Sequence, residues 1–370
     1  MAKAAKKDGA VPDLTSIRER IDAVDRKIQE LINERARYAQ QVGISKGDLS
    51  SAVDYYRPER EAAVLRAVLE RNEGPLRDQE MLRLFREIMS ACLAQQDPLK
   101  ISYLGPEGTF TQTAVYRHFG HSVRGLPFST IDEVFQEVES GSADFGLVPI
   151  ENSTEGTINH TLDMFLTSPL KIGGEVELRI EQHLLSTDEG LDSIERICAH
   201  EQSLAQCRGW LREYLPHVEL IGVSSNATGA RRSRDEQGTA AIGGQAAAEV
   251  YNLKILVNNI EDRPDNTTRF LVIGRKLLAS SGEDKTTVLV STPGTAGAGV
   301  LHTLLQPFAT HGVSMTRIES RPSRRQNWDY VFFIDLEGHA EEAPLKDALA
   351  ELKEGSSLYR LIGAYPKAVN

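Results

Sequence analysis

The sequence predicts a multidomain protein in which an all-α helical module precedes an α/β module and a small ferredoxin-like α+β module. Three observations predict this order. Apolar residues recur every three or four positions over residues 14–42, and short β-rich runs alternate with helical stretches beyond Pro98. Residues 287–370 then read strand, helix, strand, strand, helix, strand. A chain of 370 residues is long enough for two or three such domains.

Composition limits the classes of function. Hydrophobic residues make up 40% and charged residues 26% of the chain, as in ordinary globular proteins. The net charge of -11 argues against nucleic acid as a partner, and no apolar run approaches the roughly 20 residues of a membrane helix. Residues 1–12 contain three lysines but no hydrophobic core, which predicts a disordered tail and not a secretory signal. Three cysteines without a CxxC pair predict reduced thiols and a cytoplasmic protein.

The helical module is predicted to contain one long helix and two shorter ones. The long helix is capped by Asp13 or Thr15 and ends at about Ser45, the second begins at Pro58, and the third covers residues 77–96. A long helix outreaches two shorter partners, so we predict a homodimer or a higher homo-oligomer. The apolar seam of the long helix consists of Leu14, Ile17, Ile21, Val24, Ile28, Leu31, Tyr38 and Val42.

One charged residue interrupts this seam. Arg35 occupies the next seam position after Leu31, and Lys46 lies eleven residues further on, within about 20° of the same helix face. Unpaired cations are costly to bury, so an anion is expected to meet them. Spacing alone leaves two alternatives open: an internal salt bridge to Glu61 or another carboxylate, or a pocket for an anionic ligand.

The segments RERIDAVDRKIQELINERARYAQQVGISK, RPERE and LFREIMSACLAQQ together resemble the all-helical chorismate mutases over residues 13–96. The resemblance implies an intertwined helical dimer with two sites for chorismate. It implies that Lys46 and Gln96 are catalytic, as donors to the ether oxygen, and that Glu61 meets the substrate hydroxyl. The implied substrate-binding cations are Arg18, which reaches into the partner's site, Arg35 and Arg60. The loop before RPERE departs from shorter members of the family, so Arg57 and Asp54 compete for the roles of Arg60 and Glu61. Cys92 is interpreted as a packing residue.

Three polar loops in the middle of the chain predict a ligand cleft. The stretches GPEGTFTQTA at 105–114 and PIENSTEGTIN at 149–159 follow β-rich runs, and RPDNTTRFLVIG at 263–274 leads into one. The alternation of strands and helices predicts parallel sheets, in which such loops gather at one edge. From the residues alone this is a small-anion binding module.

The motifs GPEGTF, PIENSTEG, HEQSLAQC and TRF occur in order over residues 99–277 and resemble prephenate dehydratase. The resemblance implies two α/β lobes, similar to bilobed periplasmic binding domains, with prephenate bound between them. Thr268 is the implied catalytic residue, which donates to the leaving hydroxyl. Arg269 either binds a carboxylate or holds the lobes together. The reaction needs no cofactor or metal, and His200 and Cys207 are interpreted as structural. The candidate pocket-lining residues are Thr109, Asn152, Ser153 and Gln206.

The segment GVLHTLLQPFATHGVSMTRIESRP resembles an ACT regulatory domain. Gly299, Val300 and Leu301 match one family motif, and Glu319, Ser320 and Arg321 belong to the second. The resemblance implies an L-phenylalanine site between paired ACT domains, with L-phenylalanine as the effector. The alternative is an ordinary ferredoxin-like dimerisation module.

The predicted division of the chain is a tail at 1–12, a mutase domain at 13–97, a dehydratase domain at 98–277, a linker at 278–286 and an ACT domain at 287–370. Together the resemblances imply an enzyme that converts chorismate to prephenate and prephenate to phenylpyruvate, under feedback inhibition by L-phenylalanine. Two other hypotheses remain at this point: a dehydratase that uses arogenate, and a non-catalytic phenylalanine sensor.

Overall fold

The computed structural model describes residues 13–45, 56–95, 97–292, 298–323 and 330–369. Lys46, Asp54 and Gln96, together with the tail predicted at residues 1–12, lie outside the described residues. Within the described ranges, no helix is both long enough and apolar enough to cross a bilayer.

The helices carry the labels α1 to α12 in chain order. They are α1 Leu14–Ser45, α2 Pro58–Glu70, α3 Asp78–Leu93, α4 Phe110–Phe119, α5 Ile131–Ser140, α6 Asn159–Thr167, α7 Glu201–Gln206, α8 Arg208–Tyr214, α9 Asn226–Asp235, α10 Gln245–Tyr251, α11 Val300–Thr310 and α12 Leu345–Gly355. The strands carry the labels β1 to β15. They are β1 Lys100–Leu104, β2 Arg124–Phe128, β3 Phe145–Asn152, β4 Gly156–Thr157, β5 Lys171–Arg179, β6 His183–Ser186, β7 Arg196–His200, β8 Glu219–Val223, β9 Thr239–Gly243, β10 Lys254–Val257, β11 Thr267–Gly274, β12 Asp284–Ser291, β13 Met315–Pro322, β14 Tyr330–Glu337 and β15 Leu358–Pro366.

The N-terminal helical module has the predicted long helix and two shorter helices. The Asp13 carbonyl accepts the Ile17 N–H at 3.0 Å, which is the first helical hydrogen bond of α1. The predicted seam faces solvent in the single chain, because its large apolar side chains, from Leu14 to Val42, are mostly 48–63% exposed. Apolar area exposed along one stripe of a surface helix is typical of an interaction surface.

The middle module consists of two lobes, each with its own sheet. In the first lobe β1 lies parallel to β2 and β3, and β11 lies antiparallel between β3 and β5. In the second lobe the strand order is β10-β6-β9-β7-β8, and β6 is antiparallel to both of its neighbours. The prediction of parallel sheets is therefore wrong for part of each lobe. The cause is the connectivity: the chain crosses between the lobes after β5 and again before β11, which reverses the direction of the returning strand.

The C-terminal module has the predicted order of strands and helices, with strand order β13-β14-β12-β15. Its edge strand β15 pairs with β5, so the sheet of the first lobe continues into this module. Gly363 permits the close approach, since a Cβ there would lie 2.6 Å from the Ile172 carbonyl oxygen. One hydrophobic core contains Val148 and Leu271 from the first lobe and Phe333 from this module, so the two units share their interior.

The helical module is attached to the remainder of the chain by buried contacts. The Tyr56 ring packs against the rings of Phe119 and Phe145, with centroids 5.7 and 5.3 Å apart. The Arg66 guanidinium of α2 donates to the backbone carbonyls of Ser281 and Glu283, in the segment predicted to be a linker. This segment is therefore a docking surface for α2 as well as a connection.

Candidate functional sites

The first site, which we call the helical cavity, lies at the base of the helical module. It has a volume of about 400 Å³ and opens between the three helices and the first lobe. Its lining combines apolar side chains with three arginines and one carboxylate. The residues that line it include Arg35, Ala39, Val42, Tyr56, Arg57, Arg60, Glu61, Val64, Met89, Ser90, Cys92, Leu93 and Phe119.

The arginines of the helical cavity leave a surplus of positive charge. Among the described residues, Arg35 forms no ion pair, and Arg57 pairs with Glu59 at 3.4 Å while remaining largely exposed. Of the residues that the structure describes, those lining the cavity include three cations, Arg35, Arg57 and Arg60, and one carboxylate, Glu61. The charge of Arg35 also acts on the buried Glu61 carboxyl, so the salt bridge and the anion pocket both stay open as interpretations. The arrangement suits a ligand with two negative charges.

Glu61 lies where the helical module meets the first lobe. Burial raises the pKa of its carboxyl to about 7, while the Arg86 guanidinium, a hydrogen bond from the Tyr56 hydroxyl and the charge of Arg35 act in the opposite direction. A carboxyl with this pKa can accept or donate a hydrogen bond near neutral pH. The position agrees with a group that contacts a ligand hydroxyl.

The other residues predicted for this site are distributed as follows. Arg18 is exposed on α1 and does not line the helical cavity of its own chain. Lys46 and Gln96 are outside the described residues. Cys92 is buried and lines the cavity wall, as expected of a packing residue.

The second site, which we call the cleft, lies between the two lobes. It has a volume of about 450 Å³, and polar loops at strand ends form its walls. The first lobe contributes Thr109, Asn152, Glu155, Thr268 and Phe270, among others. The second lobe contributes His200, Gln202, Ser203, Gln206, Ser224, Ser225, Asn226 and Gly244.

Thr268 and Asn152 face each other across neighbouring strands of the first lobe. They are register partners on β11 and β3, and the Asn152 Nδ2 donates to the Thr268 Oγ1 at 2.8 Å. The same Nδ2 donates to Asn266 Oδ1 at 2.8 Å, and the Asn152 Oδ1 accepts the N–H groups of Thr154 and Glu155. The Asn152 amide is thus fully used within the protein. Thr268 accepts from it, so the Thr268 hydroxyl proton is directed elsewhere, and the cleft is the open side.

The remaining pocket candidates have different positions. Thr109 lines the cleft and caps α4, where its hydroxyl accepts the Gln112 N–H at 3.4 Å. Gln206 lines the cleft and accepts a hydrogen bond from Gln182 at 3.2 Å. Ser153 is not among the residues that line the cleft. Its hydroxyl accepts the Thr267 N–H at 2.9 Å, so it joins the β3–β4 turn to β11.

Sequence reasoning missed much of the second-lobe wall. His200 ends β7 and caps α7, and Ser225 follows β8 and caps α9. His200 is the last residue of its strand and Ser225 comes two residues after the end of β8, and this position at strand ends was the available signal. Cys207 is fully buried, and burial raises the pKa of its thiol, so it is not an ionised nucleophile. No group of three or more His, Cys, Asp or Glu side chains that could hold a metal occurs in the described part of the chain.

The structure does not place Arg269 in a substrate-binding position. Its Nε lies 2.9 Å from Glu175 of β5, its Nη1 lies 2.7 Å from Asp335 of β14, and its Nη2 donates to the Tyr365 hydroxyl. Arg269 follows Thr268 in a strand, and consecutive strand side chains point to opposite faces of the sheet. Thr268 faces the cleft, so Arg269 faces the C-terminal module. Its guanidinium holds these two units together, and not the two lobes.

The residues predicted to bind an amino acid lie on two elements of the C-terminal module. Gly299 precedes α11 with φ +86°, a conformation that favours glycine, and Val300 and Leu301 form the first turn. On the edge strand β13, Ser320 is exposed, but Glu319 and Arg321 face the first lobe of the same chain. Glu319 accepts from Thr157 at 2.9 Å, and Arg321 pairs with Asp163 at 2.8 Å.

Three family models match successive parts of the chain. The model of chorismate mutase type II matches residues 17–97, and that of prephenate dehydratase matches residues 101–277. The model of the ACT domain matches residues 288–354. Most residues that line the helical cavity belong to the first match, and all residues that line the cleft belong to the second.

Relatives and solved structures agree with this assignment. The bifunctional chorismate mutase/prephenate dehydratase of Pseudomonas aeruginosa is 52% identical over 96% of this chain and 98% of its own length. The protein of the same name from Neisseria gonorrhoeae is 49% identical over 95% of this chain and 96% of its own. A prephenate dehydratase from Arthrobacter aurescens, solved in complex with L-Phe, has a TM-score of 0.68 at 36% identity and covers 72% of this chain and 90% of its own. A protein described as a quorum quenching acylase has a TM-score of 0.67 at 30% identity, over 73% and 98%. The chain belongs to the family of bifunctional chorismate mutase/prephenate dehydratases.

Proposed function

We propose that the two cavities catalyse consecutive reactions. The helical cavity rearranges chorismate to prephenate, and the cleft converts prephenate to phenylpyruvate with loss of carbon dioxide and the ring hydroxyl. The observation that carries the proposal is the Asn152–Thr268 hydrogen bond in the cleft, which leaves the Thr268 proton available to a ligand. Three buried cysteines without a disulfide fit a reaction in the cytoplasm.

The chemistry of the first reaction needs positioned charge and no nucleophile. Chorismate is a dianion, and its rearrangement is unimolecular, so the enzyme holds the reactive conformer and stabilises negative charge on the ether oxygen. Arg35 and Arg60 or Arg57 bind the carboxylates, and Glu61 meets the hydroxyl. Lys46 and Gln96 remain the proposed donors to the ether oxygen. The three arginines that line the helical cavity support this assignment.

The second reaction is driven by formation of an aromatic ring. The carboxylate leaves as carbon dioxide, its electron pair enters the ring, and the hydroxyl group departs. Thr268 donates a hydrogen bond to the departing hydroxyl, and Asn152 holds the Thr268 oxygen so that this proton points into the cleft. Asn152 therefore acts through Thr268, since its own amide has no free hydrogen-bonding group.

Backbone N–H groups are the proposed partners of the prephenate carboxylates. Among the described residues that line the cleft, none is Arg or Lys. The cleft does receive the N-terminal ends of α4, capped by Thr109, and α9, capped by Ser225. Helix N-termini present unpaired N–H groups and a partial positive charge, which favour an anion. Gln206 and Ser203 add side-chain donors to this wall.

The proposed effector is L-phenylalanine. Gly299, Val300 and Leu301, with Ser320 on β13, would meet it between two ACT modules. The position of β13 at the edge of its sheet supports pairing with a second copy, because an edge strand has free backbone groups.

Conversion of chorismate tests the whole proposal. Purified protein incubated with chorismate is expected to form phenylpyruvate, and added L-phenylalanine is expected to suppress this product. Accumulation of prephenate alone would contradict the role of the cleft, and arogenate supplied in parallel would measure the alternative substrate. Unchanged chorismate would contradict the role of the helical cavity.

We also propose that the mutase site is completed by a second copy of the chain. The exposed seam of α1 supports a dimer. Arg18 is exposed and does not line the helical cavity of its own chain. A two-fold symmetric dimer would place Arg18 of each copy at the other's site.

Subunit mixing tests this arrangement. Arg18→Ala and Arg35→Ala proteins are each expected to lose mutase activity by a factor of about 100 to 1000, and both should retain dehydratase activity on supplied prephenate. If the two proteins are unfolded together and refolded as a mixture, half of the dimers carry one intact site, so about a quarter of the wild-type mutase activity should return. Arg37→Ala, at an exposed position on another face of α1, is the matched control. A mixture no more active than its components would contradict the exchange.

A further inference from the structure

The hairpin formed by β3 and β4 has two sides with different neighbours. Asn152 and Glu155 line the cleft on one side. Glu151 and Thr157 form a directly paired rung of the hairpin and face the ACT module on the other side. Glu151 and Asn152 are consecutive residues of β3, so their side chains point to opposite faces of the sheet. A displacement of the backbone at Glu151 would therefore also displace Asn152.

One ACT residue, Arg317 of β13, holds this rung. Its Nε lies 3.0 Å from the Glu151 Oε2, and its Nη2 donates to the Thr157 Oγ1 at 3.0 Å. The Thr157 hydroxyl donates in turn to Glu319 at 2.9 Å. The Arg317 side chain is only 13% exposed, while the Glu151 side chain is 39% exposed, so the bonds are charge-assisted and partly buried.

The hairpin is short, and its connecting turn is exposed. The strand β4 has only two residues, and Ser153, Thr154 and Glu155 in the connecting turn are exposed. The ladder between β3 and β11 also shifts register between Arg269 and Phe270, directly beside Glu151. Because this irregularity lies beside Glu151, the contact with Arg317 supports the end of β3 from which the Asn152 side chain extends.

We propose that Arg317 is a positioning residue for the dehydratase reaction, which acts from the ACT module by fixing the Glu151–Thr157 rung and thereby the Asn152 amide against Thr268. The proposal rests on the roles given above to Asn152 and Thr268. It assigns to the ACT module a contribution to catalysis that does not require an effector.

Arg317→Met tests this role. The variant removes the guanidinium and keeps an unbranched side chain. Displacement of a catalytic group by less than 1 Å is sufficient to slow a reaction, so kcat for supplied prephenate is expected to fall about tenfold with a smaller change in KM. Mutase activity should be unchanged. Arg317→Lys, which keeps the charge near Glu151, should recover part of the loss.

Glu151→Gln provides a second variant that does not depend on the folding of the first. Since Glu151→Gln removes the charge from the same contact, it should also lower kcat, and the double variant should be no worse than Arg317→Met alone. The matched control is Arg360→Met. Arg360 also joins the ACT module to the first lobe, but through the carbonyls of Phe165, Leu166 and Ser168 at the end of α6. Its loss should leave kcat within about twofold of wild type.

Three results would overturn the inference: an Arg317→Met enzyme with wild-type kcat, single effects that multiply in the double variant, or an Arg360→Met enzyme that is equally slow. In each case a Thr268 variant that is inactive would show that the proposed dehydratase site is still correct. A fully active Thr268 variant would instead contradict both the proposed dehydratase site and the role of Arg317.

Discussion

Thr268→Val is expected to lower dehydratase kcat by a factor of about 100 to 10,000, the usual contribution of a positioned proton donor. Valine keeps the shape of threonine but lacks the hydroxyl that accepts from Asn152 and faces the cleft. Phenylpyruvate formation from supplied prephenate measures the loss. Chorismate mutase activity should be unaffected, since the helical cavity shares no residue with the cleft among those that line them.

Two variants make this result specific. Thr268→Ser keeps the hydroxyl and should retain most of the activity. Thr267→Val removes the neighbouring hydroxyl, which donates to the Asp265 carbonyl and does not line the cleft, and it should leave the rate nearly unchanged. If Thr268→Val kept more than about a tenth of wild-type kcat, the hydroxyl would not be the main donor to the leaving group.

Arg269→Met is expected to lower the free energy of unfolding by about 3–5 kcal/mol, the usual cost of removing one partner from a buried ion pair. The side chains of Glu175 and Asp335 are 1% and 5% exposed, and both contact this guanidinium. Lys285 also contacts Glu175, so Asp335 is the acid left without a cation. Urea unfolding followed by circular dichroism measures the loss.

Two controls separate stability from substrate binding. Lys254→Met removes a highly exposed ion pair with Glu189 and should cost less than about 1 kcal/mol. Arg269→Lys keeps a cation between the two acids, so its KM for prephenate should stay within about threefold of wild type. A large rise in KM with unchanged stability would return Arg269 to the substrate-binding role predicted from the sequence.

The sequence was most informative where structure is locally encoded. The long helix that carries the seam and the strand–helix order of the ACT module follow from periodicities of a few residues, and both elements occur as predicted. The packing of the seam on a partner stays a prediction. The mixed sheets could not be predicted in this way. Their antiparallel pairs depend on where the chain crosses between lobes, and that is a long-range property which β-rich runs do not express.

The candidate sites show the same division. The polar loops that carry Thr268 and Asn152 were noticed because such loops gather at one edge of a sheet, and the resemblance to prephenate dehydratase then singled out Thr268. His200 and Ser225 were missed because many polar residues follow strands, and only the closed fold brings these two opposite the first lobe. The position of Arg269 was available from the sequence, since a residue beside Thr268 in a strand cannot share its face.

The continuous sheet and common interior of the dehydratase and ACT modules have a consequence for how the chain can be divided. Family similarity changes between residues 277 and 288, yet a cut there would expose the edge of β5, the buried acid Glu175 and half of a shared core. An open strand edge of this kind promotes aggregation. The folding unit is therefore larger than either family match. The dehydratase and ACT modules should be inherited, expressed and degraded together.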